Sequence, residues 1–70
     1  MDQEKFLKLV GDNIKRIRMK RGLNARTLAD RMGVPVGSVE MIEKGLVLTS
    51  LVDIYEISSV LEVDPVELFR

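Results

Sequence analysis

The chain has no cysteine, no histidine and no tryptophan among its 70 residues. Without cysteine there is no disulfide staple and no thiolate metal site. Without histidine the commonest metal ligand and the commonest general base are gone as well. A catalytic metal centre is not expected, and no cofactor is implied. Ser38, Ser50, Ser58 and Ser59 have no histidine to activate them, so nucleophilic catalysis has no support. Asp53, Glu56, Glu62 and Glu67 read as a solvated acidic helix face rather than a catalytic carboxylate pair. The one tyrosine, Tyr55, reads as an amphipathic packing residue. The chain is not expected to be an enzyme. It also lacks any apolar run near the roughly 20 residues that cross a bilayer. Its start carries Asp2, Glu4, Lys5 and Lys8 in place of an apolar signal segment. A soluble, cytoplasmic protein is the expectation.

What is present is a single small domain, residues 1–70, of a size that buries only about 60% of its unfolded surface. Its net charge of zero hides an asymmetry. Residues 1–31 hold nine basic against four acidic side chains, a net +5, and residues 32–70 hold two against seven, a net −5. A basic half fits either a phosphate-facing surface or the solvated face of a long helix.

Helical periodicity runs through the chain, with no strand pattern. Phe6, Val10, Ile14 and Ile17 predict an amphipathic helix over residues 4–21, stopped by Gly22 and weakened only at Gly11. Asn24 suits the cap of a second helix carrying Leu28, Ala29 and Met32, which Gly33 ends. Pro35 starts a third helix over 35–44 that buries Val39 and Ile42 and stops at Gly45. Ser50 with Asp53 starts a fourth, pointing Ile54, Ile57 and Leu61 inward. Asp64, Pro65 and Glu67 signal a short fifth helix with Leu68 and Phe69.

The frame "NIKRIRMKRGLNARTLADRMGVPVGSVEMIEKG" followed by "SLVDIYEISSVLEVDPVELF" resembles the lambda Cro/repressor helix-turn-helix family, also called the Xre type. The resemblance covers roughly residues 10–69 and is most specific in "RGLN", "LADRMGV", "VEMIEKG" and "LEVDPVELF". It implies an all-α, compact five-helix, lambda-repressor-like DNA-binding domain. Residues 25–32 become the first helix of the motif and 35–44 the recognition helix. It also implies a structural ion pair between Arg18 and Glu43, and a setting in a phage or mobile-element switch.

The contact residues of that family are what this chain lacks. The family often has glutamine where Ala25 stands, and places forked polar side chains at the positions of Val36, Gly37 and Met41. None of these can make a bidentate bond to a base, which removes about 1 to 3 kcal/mol of discrimination per lost pair. Ser38 can bond either way, Glu40 can accept from cytosine, and Val36 can touch a thymine methyl. After the recognition helix, where the family is commonly polar, come Leu46, Val47 and Leu48.

Two functions are compatible with this pattern. In the first, a modulator or antirepressor uses Val36, Glu40, Met41, Leu46, Val47 and Leu48 to bind another transcriptional regulator, such as a related repressor, and binds duplex DNA weakly or within a complex. In the second, a homodimeric repressor reads an operator through Val36, Gly37, Ser38, Glu40 and Met41. Lys15, Arg16, Arg26, Arg31 and Lys44 then hold phosphates.

Overall fold

Asp2 accepts a hydrogen bond from the Lys5 N–H at 2.8 Å and caps the first helix, α1 (Gln3–Lys20). Val10, Ile14 and Ile17 lie on one face of α1 and are buried. Asn24 caps α2 (Ala25–Met32), accepting from the N–H and the hydroxyl of Thr27 at 2.8 and 2.9 Å. Pro35 supplies the extended residue before α3 (Val36–Glu43). Ser50 accepts from the Asp53 N–H at 3.0 Å where α4 (Leu51–Leu61) begins. The computed structural model describes residues 1–70 and contains no strand.

The helices also share a way of ending. Leu23, Val34, Leu46 and Val63 each donate a backbone N–H to the carbonyl five residues back, across one left-handed residue. Gly33, at φ 72°, is the one that sets the turn from α2 into α3.

The last segment is not the fifth α-helix expected from the sequence. Pro65–Phe69 forms a 3-10 turn, in which Glu67 bonds three residues back to the Asp64 carbonyl at 2.9 Å. Five residues give an α ladder almost no length over which to recover its nucleation cost, and the tighter form is the usual outcome for such pieces. The fold is therefore four α-helices and one 3-10 turn.

Ile14, Leu28, Ile57, Leu61 and Leu68 sit at the centre of the core with under 2% of their surface exposed. Val39 and Ile42 join them from α3, as the periodicity predicts. Gly11 is where α1 and α3 come closest: a Cβ there would lie 2.5 Å from the Ile42 carbonyl oxygen and 2.6 Å from that of Glu43. Glycine at this point is a packing requirement and no defect in the helix. Asn13, buried on the same helix, donates to the Leu68 carbonyl at 3.0 Å and ties the C-terminal turn to α1.

Phe6 departs from its expected inward position. It is 42% exposed and stacks on Phe69, with centroids 5.9 Å apart. It lies in the first turns of α1, where Phe69 stacks on it and Leu48, Leu51 and Ile54 share a small pocket with it that leaves one side to solvent. Tyr55 is likewise not a packing residue, since most of its surface is exposed on α4.

Candidate nucleic-acid interface

The position of α3 is fixed from behind. Arg18 of α1 donates to both carboxylate oxygens of Glu43, from Nε at 2.6 Å and from an Nη at 3.0 Å. Its other Nη donates to the Leu23 carbonyl at 2.8 Å. Both side chains are buried, and the guanidinium pKa is raised above its ordinary value, foremost by the hydrogen bond with Glu43. Arg18 is therefore a permanent internal cation that orients α3, and it is not free to hold a ligand.

With Val39, Ile42 and Glu43 turned inward, α3 presents Gly37, Ser38, Glu40 and Met41 to solvent, continued by Lys44, while Val36 is half-buried at its start. Beside this face opens a cavity of about 230 Å³ bordered by Ala25, by Lys8, Lys15 and Lys44, and by Asp12, Glu40 and the Arg18–Glu43 pair, with Asp12 bound to Lys8 at 3.0 Å. The N–H groups of Ala25 and Arg26 at the start of α2 find no acceptor within the chain. Unsatisfied N–H groups at a positive helix end, with Lys15 and Lys44 on the rim, attract an anion, while exposed Glu40 on the same rim opposes it.

The basic residues do not all share that face. Arg16, one position after Lys15, is turned about 100° round the helix. It donates to Asn13 at 3.2 Å and lines a separate groove with Lys20, Arg21 and Arg70 beside the C-terminal turn. Arg26 and Arg31 are exposed on α2.

The apolar residues divide as well. Met41, Val47 and Leu48 border an open groove of about 490 Å³ together with Gly37 and Ser38. Val47 is half-buried against the core, and Leu46 faces a different groove, with Leu7 and Leu9 of α1. A second apolar surface lies on α4, where Leu51, Val52 and Tyr55 are 84%, 65% and 66% exposed. It continues through Leu48 to a small cavity of about 250 Å³ that Phe6 and Phe69 also line. The sequence reading passes over Leu51 and Val52 and takes Tyr55 for a packing residue. The available signal was the width of the apolar pattern, since Leu51, Val52, Ile54, Tyr55 and Ile57 cannot all share one face.

Two short helices joined through a left-handed glycine, the second clamped from behind and open in front, define a helix-turn-helix DNA-binding domain. The helix-turn-helix family HTH_3 matches residues 14–68, and the chain belongs to it: it is a transcriptional regulator of the helix-turn-helix class. Among solved structures it is similar to the restriction-modification controller protein C.AhdI from Aeromonas hydrophila. The two are 33% identical over 90% of this chain and 96% of that one, with a TM-score of 0.86. It is also similar to an HTH_3 family transcriptional regulator from Vibrio cholerae at 25% identity and a TM-score of 0.88. That match takes in 97% of this chain but only 38% of the Vibrio protein. No curated protein is significantly similar to the chain. None of the helices is long and apolar enough to cross a membrane.

Proposed function

We propose that the protein is a stand-alone, controller-type transcriptional regulator that binds operator DNA as a pair of identical copies. The observation that carries this reading is a pair of exposed surfaces on neighbouring elements. The outer face of α3 and the start of α2 lie open for DNA, while α4 exposes Leu51, Val52 and Tyr55, and the two surfaces meet at Leu48. End-to-end similarity to a restriction-modification controller supports the same assignment.

In this reading Leu48, Leu51, Val52 and Tyr55 are covered by the second copy. One copy measures 31 × 23 × 20 Å, a size that lets a twofold pair set its α3 helices one DNA turn, about 34 Å, apart. Lys15, Lys44, Arg26 and the α2 N-terminus then meet phosphates. Analytical ultracentrifugation with a duplex from the upstream region of its own gene tests the proposal. Two copies per duplex is the expected stoichiometry, and a one-to-one complex contradicts it.

A second reading is favoured by the groove at Met41, Val47 and Leu48, whose border includes Asp53 and whose helix carries exposed Glu40. An apolar groove with acid at its rim suits the basic DNA-binding face of a related repressor, which makes the protein an antirepressor. Replacing both Met41 and Leu48 with lysine separates this reading from the first: it requires loss of repressor binding with an unchanged melting curve.

A further inference from the structure

Gly37 occupies a position that the fold does not explain. Its backbone is ordinary α-helix, and a Cβ built on it meets no atom within 4 Å. Gly33 needs its left-handed turn and Gly11 its close neighbour, but Gly37 has neither reason. Within a helix, glycine is less stable than alanine, so the chain accepts a loss here that nothing inside the molecule requires.

Its location supplies the reason. Gly37 lies on the outward stripe of α3, one turn before Met41 and between Val36 and Ser38. A bare backbone there lets an outside surface come closer to the helix axis than at any neighbouring residue. In the major groove, every polar base edge is read by a donor or an acceptor, and Val36, Gly37 and Met41 bring neither. The one apolar feature displayed in that groove is the 5-methyl group of thymine.

We propose that α3 reads thymine methyl groups, with Gly37 admitting the base-pair edge and Met41, one turn further along the same outward stripe, packing on the methyl. Glu40 and Ser38 provide the polar part of the readout, Glu40 accepting from an exocyclic amine of cytosine or adenine. The inference rests on the reading of the protein as a DNA binder and names the chemistry by which it chooses a site.

The test starts from duplexes that the full chain selects from a random pool. In the selected duplex each contacted thymine is replaced by uracil, which removes the methyl and nothing else. Affinity is expected to fall about fourfold for each methyl lost, the equivalent of one buried carbon. Replacement by 5-bromouracil, which restores bulk at the same position, is expected to restore binding. Gly37→Ala is expected to melt at or above the wild-type temperature yet bind about tenfold more weakly. Equal binding of the uracil and thymine duplexes, or wild-type binding by Gly37→Ala, overturns the inference while leaving DNA binding intact. Failure to select any duplex overturns both.

Discussion

Arg18 and Glu43 stand 25 residues apart and meet through two hydrogen bonds of 2.6 and 3.0 Å, forming the one buried ion pair in the molecule. The pair joins the longest helix to the end of the recognition helix, so the angle at which α3 is presented depends on it. Glu43→Ala leaves the guanidinium buried without its counter-ion and is expected to cost about 3 to 5 kcal/mol. For a small domain with about 5 to 15 kcal/mol in total, that is close to unfolding. The double change Arg18→Met with Glu43→Leu removes both charges and is expected to be near neutral in urea denaturation. A double variant as unstable as the single one contradicts this account.

Gly11→Ala reverses the usual rule for glycine in a helix. Propensity alone favours alanine by about 1 kcal/mol. The new methyl, however, meets the Ile42 and Glu43 carbonyl oxygens at 2.5 and 2.6 Å, and these are backbone atoms. The expected result is a net loss of about 1 to 3 kcal/mol, visible as a lower urea midpoint. A higher midpoint shows that α1 and α3 are not in contact there.

Glu62 holds φ 58° at the end of α4, the left-handed conformation that glycine supplies after the other three helices. Glu62→Gly relieves a strain of about 1 to 2 kcal/mol, partly offset by the greater freedom of glycine in the unfolded chain. The carbonyl that accepts from Arg21 at 3.1 Å is kept, and the exposed Arg21–Glu62 ion pair at 3.8 Å adds little. Thermal melts are expected to show a higher Tm, and a lower one refutes the strain.

If two copies pair through α4 as proposed, stability depends on concentration, because the pair forms only from folded chains. The wild-type Tm is expected to rise with protein concentration. Leu51→Glu places a charge on the most exposed apolar position of α4 and is expected to sediment as a monomer with a constant Tm. Sedimentation of Leu51→Glu as the wild type does places the contact elsewhere.

How much of this was legible in the sequence follows from the range of each interaction. Asn24 and Ser50 act on residues three positions away, so their caps are readable directly, as are the turns at Gly22, Gly33 and Gly45. The buried ion pair was reached only through a family resemblance. Gly11 looks like a flaw until the carbonyls it touches, more than 30 residues on, are placed beside it. Asn13 and Leu68 meet across 55 residues, and no local pattern announces that bond. Lys15 and Arg16 count as one basic run in sequence, yet helical rotation sends them to different grooves. On the site itself, the residue types of α3 were plain from the start. That Gly37 is unused by the fold required the space around it to be known.

The central claim, that the α3 face with the α2 N-terminus binds DNA in a sequence-dependent way, is tested most directly by fluorescence anisotropy across a salt series. A selected duplex and a scrambled one are titrated with wild type and with Lys15→Ala. Tighter binding of the selected duplex is predicted, about 100-fold or more, below the usual range for specific binders because the forked base-reading groups are missing. Lys15→Ala is predicted to weaken both duplexes equally and to reduce the salt slope by about 1 for each copy bound. Equal affinity for the two duplexes, with a slope that Lys15→Ala does not change, contradicts the account.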